Sequence, residues 1–300
     1  MSSLDLRRQS RVKSALPALF MVGPVQLMVI SMIFVPVLFV AWLSFNESSF
    51  GQAPVFVGLQ NYVQVLSDPY FWRAMGNTIL VVLIVVHVEL LLGLGVALLF
   101  ASGVPMRPLL LAAVLAPYAV SEISAVVMWR YLFDLDVGFA TQLLTALGLP
   151  ALEWSINPFH GLVLIALLSI WLHLPFTFVI LYAARLAIPN DLYEAAGVDG
   201  ATAFQKFRRI TLPLLMPAML IAMLFRYIFA FRLFSEVWLM TGGGPARQTE
   251  VLAVYLYLEA FRYNAFGEAA ATGWLLVLAS LGLAVFYLRR LYKEMFAANA

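Results

Sequence analysis

Six long apolar segments dominate this sequence of 300 residues. The hydrocarbon core of a bilayer is about 30 Å thick, so a helix needs roughly 20 consecutive apolar residues to cross it. Charged residues make up only 11% of the chain, whereas soluble domains contain about 25%. A transmembrane β-barrel would show shorter segments of alternating polarity. The sequence therefore predicts an all-α, polytopic membrane protein with six transmembrane helices, at 16–45, 78–101, 109–131, 161–184, 214–240 and 269–288.

The basic residues predict how these helices are oriented. One membrane domain, 16–288, lies between an N-terminal segment (1–15) and a C-terminal tail (289–300), and a polar loop (189–213) joins the fourth and fifth spans. Positive residues mark the cytoplasmic side, and most of the 18 Lys and Arg fall on one side. Both termini and the polar loop are therefore predicted to be cytoplasmic. The basic residues on that side are Arg7, Arg8, Arg11, Lys13, Arg107, Arg185, Lys206, Arg208, Arg209, Arg289, Arg290 and Lys293.

Several kinds of function are disfavoured by the sequence. The chain has no cysteine, which excludes thiol catalysis and cysteine-ligated zinc. The TGGGP segment at 241–245 lacks the Gly-Lys-Ser/Thr ending of a Walker A loop, so we predict a turn there and ATP bound by another polypeptide. His160 and His173 are isolated in the sequence, and no metal-ligand spacing is present. We therefore predict no metal site, no cofactor on this chain, no enzymatic activity and, at a net charge of +2, no nucleic-acid partner.

The polar loop has the pattern of two short helices joined by a turn. Asn190 is a potential N-cap, and Asp191 and Glu194 would place negative charge in the first helical turn. Asp199-Gly200 is a turn dipeptide. A second helix follows, with an apolar face predicted from the spacing of three residues: Phe204, Phe207 and Ile210. The periodicity alone leaves two alternatives open, an amphipathic helix on the lipid surface or a docking helix that enters a groove on a soluble partner.

Charged residues inside the spans form the second candidate region. Such residues usually face a bundle interior or an aqueous cavity. In the fifth span, Arg232 and Glu236 are four residues apart and are predicted to pair along one helix. A continuous helix would place Tyr227, Phe231, Phe234 and Trp238 on one face, and Phe225, Phe229, Arg232 and Glu236 on the other.

These residues have two open interpretations, a solute path or structural packing. Aromatic rings and charged groups suit sugars, but the same residues could pack against lipid or lock helices together. The candidate path residues are Glu122, Arg226, Phe229, Phe231, Arg232, Glu236 and Trp238. His87 and Glu89 are interpreted as internal polar contacts, and Pro117 and Pro175 are predicted to kink the third and fourth spans.

The polar loop resembles the EAA loop of bacterial ABC-importer permeases. The matching residues, at the spacing of that motif, are Glu194, Ala195, Ala196, Asp199, Gly200, Ala201, Ile210, Leu212 and Pro213. The segments FVGLQNY, FRLFSEVWLMTGGGP and YLYLEAFRYNAFGEAAA are similar to the carbohydrate-uptake branch, on the side of the MalF-like or UgpA-like subunit. The resemblance implies the six-span, MetI-like fold of type I importers, in a bacterial inner membrane.

The resemblance also implies a function and partners. The chain would translocate a mono- or oligosaccharide, or a polyol or glycerol phosphate, and the intramembrane Arg residues leave an anionic solute open. It would work with a second, MalG-like or UgpE-like permease, an extracytoplasmic solute-binding protein and a cytoplasmic ATPase dimer that holds ATP and Mg²⁺. Coupling to the ATPase would involve Glu194, Ala195, Ala196, Asp199, Gly200, Ala201 and Phe204. The alternative is an ion-coupled secondary transporter that uses Glu89, Glu122 or Glu236.

Overall fold

The computed structural model describes the backbone of residues 3–297 and the side chains of residues 21–287, Arg289 and Tyr292. The side chains of the basic N-terminal residues, and those of Arg290 and Lys293, lie outside this description. The chain forms two compact units. The first contains the residues up to Val65 together with Glu259–Ala271, and the second contains Leu66–Leu258 together with the described residues from Thr272 onward.

In the first unit, a long helix leads into a short hairpin held by asparagines. The helix α1 (Ser3–Leu43) is followed by β1 (Asn46–Glu47), β2 (Val55–Phe56) and α2 (Gln60–Ser67), with the two strands antiparallel. Asn61 is buried, and its Nδ2 donates to the carbonyl oxygens of Ser44 and Asn46, each at 2.9 Å. These bonds satisfy two backbone carbonyl groups where the chain passes from α1 into the hairpin. By contrast, the apolar stretch of α1 from Met21 to Leu43 is exposed.

The rest of the chain is almost entirely helical. Pro69 and Pro158 each occupy the first position of a long helix, where proline is favoured, after Asp68 and Asn157, whose side chains accept from backbone amides. Two π-helical turns, Phe207–Thr211 and Leu258–Arg262, interrupt the series. The helices are α3 (Pro69–Ala101), α4 (Arg107–Leu115), α5 (Glu122–Leu132), α6 (Phe139–Ala146), α7 (Pro158–Leu186), α8 (Asp191–Val198), α9 (Ala203–Lys206), α10 (Leu212–Ala230), α11 (Ser235–Met240), α12 (Leu252–Tyr257) and α13 (Phe266–Ala297).

The helices α3 and α7 pack closely in the second unit because α3 has a glycine at their contact. A Cβ atom on Gly93 would lie 2.9 Å from the Cγ2 atom of Thr177 and 3.3 Å from the backbone nitrogen of Phe178. Gly95, two residues further on, has open space around it. Small residues of this kind let two transmembrane backbones approach. Pro175 lies inside α7, which continues through it to Leu186.

The third predicted span is sharply bent. The sequence predicted one helix kinked at Pro117, but the structure has two helices. The helices α4 and α5 meet at 102° across a 3₁₀ turn, Ala116–Ala119. Proline cannot donate to the helical ladder, and Ser121 then starts α5 by accepting from the backbone nitrogen of Ser124 at 3.3 Å. Among the described residues, five helices are long and apolar enough to cross a membrane, and the bent pair, counted as one span, makes a sixth, in agreement with the predicted number of spans.

The fifth predicted span, 214–240, is also not one helix. The helix α10 ends at Ala230, and α11 begins only at Ser235. Between them, Phe231 is buried in a core cluster with α3 and α7, whereas Leu233 is buried in a different cluster with α5 and α12. The helix ends here although the local sequence, 231–234, has neither Gly nor Pro.

Candidate functional site

A cavity of about 530 Å³ lies in the second unit and contains most of the predicted path residues. Ligand pockets for small molecules typically have volumes of about 300–1,000 Å³. Tyr118 and His173 also line this cavity, although the predicted path residues did not include them. The predicted residues that line it are Glu122, Arg226, Phe229, Arg232 and Glu236.

Phe231 and Trp238, by contrast, do not line this cavity. Phe231 is 1% exposed in a core cluster. The ring of Trp238 stacks against that of Phe234 at 6.2 Å and packs against Tyr257 at 4.8 Å. The predicted division of the fifth span into two helical faces is therefore wrong, because the helix ends before Phe231. These aromatic residues follow the packing interpretation.

Arg226 forms a buried ion pair that the sequence analysis did not identify. Its Nε donates to the Oε2 atom of Glu89 in α3 at 2.6 Å, and the two residues are 2% and 0% exposed. The other ends of this pair, Nη2 of Arg226 and Oε1 of Glu89, have no hydrogen-bond partner among the described residues. The pair joins α10 to α3. Opposite charges inside spans tend to pair with each other. The presence of Glu89 and Arg226 in two separate spans was therefore the signal in the sequence from which this pair could have been predicted.

The lining of the cavity brings together three residues from three helices. One ligand atom each from Glu122, His173 and Glu236 lies within 4.8 Å of the other two. The prediction that His173 is isolated is therefore wrong. The predicted Arg232–Glu236 pair is also wrong, since the described residues show no ion pair between them and the helix that would align them is interrupted. Glu236 is 3% exposed, whereas Glu122 is exposed at the start of α5.

His87 makes internal polar contacts, as interpreted from the sequence. Its Nδ1 lies 2.8 Å from the carbonyl oxygen of Leu83, and its Nε2 lies 3.1 Å from the hydroxyl oxygen of Tyr287. Both ring nitrogens therefore have partners within the helices. His87 does not line the cavity.

The second candidate region, the loop 189–213, presents an exposed helix. No residue of α8 is buried, and the motif residues Glu194 and Ala195 are exposed. Three large apolar side chains are exposed as well, Leu192 at 44%, Val198 at 90% and Phe204 at 68%. Exposed apolar residues grouped on one segment are typical of a protein–protein contact.

Backbone geometry explains how the loop turns. Gly200 has a φ of +75°, a left-handed conformation that favours glycine. The backbone nitrogen of Ala201 donates to the carbonyl oxygen of Ala196 at 2.8 Å, which closes the end of α8. The predicted turn at 199–200 is thus confirmed. Asn190 precedes α8, but its side chain makes no capping hydrogen bond, so that part of the prediction is wrong.

The second helix of the loop starts with a capping box. Thr202 accepts from the backbone nitrogen of Gln205, and the side chain of Gln205 accepts from the backbone nitrogen of Thr202. The spacing Thr-x-x-Gln was the signal in the sequence. The predicted apolar face is only partly correct: Phe207 packs against the core, but Phe204 is exposed.

Tyr193 anchors the loop to the membrane helices, a role that the sequence analysis missed. Its hydroxyl oxygen lies 2.9 Å from Oγ1 of Thr211, at the start of α10. The guanidinium carbon of Arg185, near the end of α7, lies 4.3 Å from the centre of its ring, within the range of a cation–π interaction. A displacement of α8 would therefore act on both α7 and α10.

Comparisons with known proteins agree with this architecture. The trehalose/maltose transport system permease protein MalF of Thermococcus litoralis is 32% identical over 286 residues, which cover 95% of this chain and 97% of that protein. The sulfoquinovosyl glycerol transport system permease protein SmoG of Agrobacterium fabrum is 33% identical and covers 91% of this chain, with 89% of its own length matched. A crystal structure of a bacterial ABC transporter that imports alginate has a chain of the same fold, with a TM-score of 0.83 at 20% identity, covering 96% of this chain and 99% of that one.

One family model matches almost the whole chain, residues 7–293, and describes a binding-protein-dependent transport system inner membrane component. This assignment makes the chain a transport component and not an enzyme. It agrees with the resemblance of the loop at 189–213 to the EAA loop. The chain therefore belongs to the family of binding-protein-dependent transport system inner membrane components, the ABC-importer permeases.

Proposed function

We propose that this permease moves a saccharide through the cavity between Glu122, Phe229 and Glu236. The observation that carries the proposal is the lining of the cavity, which combines charged groups with the ring of Phe229. Sugar hydroxyls donate hydrogen bonds to carboxylates and accept them from guanidinium groups, and the apolar faces of sugars pack on aromatic rings. The relatives named for trehalose/maltose and sulfoquinovosyl glycerol transport support this class of solute. Polyols and glycerol phosphate offer similar hydrogen-bonding groups and belong to the same proposed class of solutes.

The partners follow from the same reasoning. The family name supports a solute-binding protein that delivers the solute, and the resemblance of the loop 189–213 to the EAA loop supports an ATPase that binds ATP and Mg²⁺ in place of this chain. A second, related permease of the MalG-like or UgpE-like kind would complete the membrane part. The exposed apolar stretch of α1, Met21–Leu43, supports a neighbour within the membrane.

The loop 189–213 is proposed to couple the ATPase to the spans. Glu194 would contact basic residues of the ATPase, and Ala195 and Ala196 would permit close seating. The turn of Asp199, Gly200 and Ala201 would fix the helix direction, and exposed Phe204 would contribute apolar area. The exposure of α8 supports this role. The position of the loop, together with the basic residues beside it, supports a cytoplasmic location for both termini in an inner membrane.

The transport proposal is tested with the complete complex in proteoliposomes, supplied with its solute-binding protein. We expect ATP-dependent uptake of at least one radiolabelled saccharide from a panel of mono- and oligosaccharides. Phe229→Ala and Glu236→Ala should lower that uptake by about tenfold, since each removes one group from the cavity lining. Normal uptake rate and affinity in both variants would remove these residues from the path.

Phe225→Ala is the matched control for Phe229→Ala. Phe225 lies one turn earlier on α10, both side chains are 44% exposed, and both rings pack against Phe176. Only Phe229 lines the cavity. Uptake should therefore be unchanged in Phe225→Ala, and an equal loss in both variants would indicate a packing effect.

A further inference from the structure

The cavity contains a set of side chains with the chemistry of a metal site. Glu122 comes from the first turn of α5, His173 from the middle of α7, and Glu236 from the first turn of α11. Their potential ligand atoms lie within 4.8 Å of one another. Two carboxylates and one imidazole form a donor set that suits divalent transition metals such as Zn²⁺ and Mn²⁺.

The histidine is held in the form that a metal requires. Nδ1 of His173 lies 2.9 Å from the carbonyl oxygen of Ser169, and a carbonyl can only accept, so Nδ1 carries the proton. The remaining nitrogen, Nε2, then has its lone pair available. Metal-binding histidines commonly have their second nitrogen fixed by a carbonyl or carboxylate in this way.

Glu236 provides an independent indication of a ligand. The residue is 97% removed from solvent and lines the cavity, yet it forms no ion pair in the described part of the chain. The charge of a buried carboxylate without an ion pair is costly, so such a group either takes up a proton or is compensated by a cation. Arg226 also lines the cavity, but its charge is already compensated by Glu89 at 2.6 Å.

The geometry requires only a small adjustment. Ligands at about 2.1 Å from Zn²⁺ in a tetrahedral arrangement lie about 3.4 Å apart, compared with the present upper limit of 4.8 Å. Glu122 is exposed, so its side chain can rotate toward the other two at little cost. Three protein ligands would leave at least one position of the metal open to the cavity.

We infer that Glu122, His173 and Glu236 bind one divalent transition-metal ion in the cavity of this permease. The ion joins α5, α7 and α11, and its open position faces the volume that the proposed solute occupies. Binding of the ion does not depend on which solute is carried. The inference can therefore be tested without transport.

The experiment measures metal binding by the complete, nucleotide-free complex in nanodiscs, purified with an affinity tag that contains no histidine. Mn²⁺ binding is followed by electron paramagnetic resonance, and Zn²⁺ binding by metal analysis after dialysis. We expect saturable binding of one ion per chain. Glu236→Gln and Glu122→Gln should each weaken the affinity by more than tenfold. Because Glu122 is exposed, its replacement leaves the packing intact even if Glu236→Gln does not fold.

His160→Gln is the control, since His160 lies outside the cluster and accepts a hydrogen bond from the backbone nitrogen of Glu153. Its metal affinity should equal that of the unaltered complex. Absence of saturable binding to the unaltered complex would overturn the inference, and would indicate that the cluster contacts solute hydroxyls only. Unchanged affinity in both carboxylate variants would overturn it as well.

Discussion

Arg226 of α10 and Glu89 of α3 are joined by a hydrogen-bonded ion pair of 2.6 Å in which both side chains are buried. Removing one partner of such a pair leaves an uncompensated charge, which costs about 3–5 kcal/mol. We expect Glu89→Ala to lower the thermal stability of the purified complex correspondingly. Unfolding followed by intrinsic fluorescence in detergent measures this change.

A double replacement separates charge from packing. Glu89→Gln combined with Arg226→Met removes both charges, and most of the lost stability should return. Arg232→Met is the control, because Arg232 is exposed and forms no described ion pair. Equal stability of Glu89→Ala and the unaltered complex would contradict the structural role of the pair.

The contact between α3 and α7 predicts different outcomes for two neighbouring glycines. A side chain at Gly93 meets Thr177 and the backbone of Phe178, whereas Gly95 has open space. Gly93→Val should destabilise the complex by about 1–3 kcal/mol through overpacking. Gly95→Val, which changes the helix propensity by the same amount, should have a much smaller destabilising effect. Fluorescence-detected gel filtration after heating compares them, and equal loss in both would contradict the close approach of the helices.

Glu194 is expected to govern docking of the ATPase. Glu194→Lys reverses a charge on an exposed helix. It should reduce either the amount of ATPase that co-purifies or the amount of solute carried per ATP hydrolysed, by about tenfold or more. The control is Glu153→Lys, an equivalent change in an exposed loop residue before α7. Normal ATPase recruitment together with solute-stimulated turnover in Glu194→Lys would remove Glu194 from the interface.

Tyr193 is expected to transmit movement rather than to bind the ATPase. Tyr193→Phe removes the hydrogen bond to Thr211 but retains the ring beside Arg185, and such a bond contributes about 0.5–1.5 kcal/mol. The ATPase should still co-purify, while fewer solute molecules are carried per ATP hydrolysed. Tyr193→Ala, which also removes the ring, should lower this ratio further. A ratio that is unchanged in both variants would contradict the anchoring role.

The proposed orientation can be tested directly because the chain contains no native cysteine. Val198→Cys and Glu153→Cys place single thiols at exposed positions in the two loops on either side of α7. In intact right-side-out vesicles lacking the ATPase, an impermeant maleimide should label Glu153→Cys only. Val198→Cys should become reactive after permeabilisation. The reverse pattern would place the loop 189–213 outside.

The sequence predicted the number of spans and the turn at Gly200 because both depend on local signals, apolar length and glycine conformation. It did not predict where α10 ends, since the residues at the break, 231–234, include neither Gly nor Pro to mark it. The aromatic faces assigned to the fifth span were wrong for the same reason. Five of the proposed path residues nevertheless line one cavity. Four of them are charged, and charged residues inside spans usually face a bundle interior or an aqueous cavity.

The family assignment also decides between the functions that the sequence left open. A binding-protein-dependent transport system component is not an ion-coupled secondary transporter, although Glu89, Glu122 and Glu236 suggested that alternative. Glu89 instead serves the ion pair with Arg226. The pairing explains how a carboxylate inside a span can be structural.

The π-helical turn at Phe207–Thr211 lies within the loop 189–213, directly before α10. Such a turn accommodates one more residue than an α-helical turn, and each residue of an α-helix advances the chain by about 100° around the axis. Because the turn takes up the extra residue within one revolution, deleting a single residue here would restore ordinary helical geometry with little rotation of the preceding chain relative to the spans. The same deletion in a regular part of α10 would rotate that chain by about 100°, so the π-helical turn is the point at which the direction of the exposed helix tolerates a one-residue change.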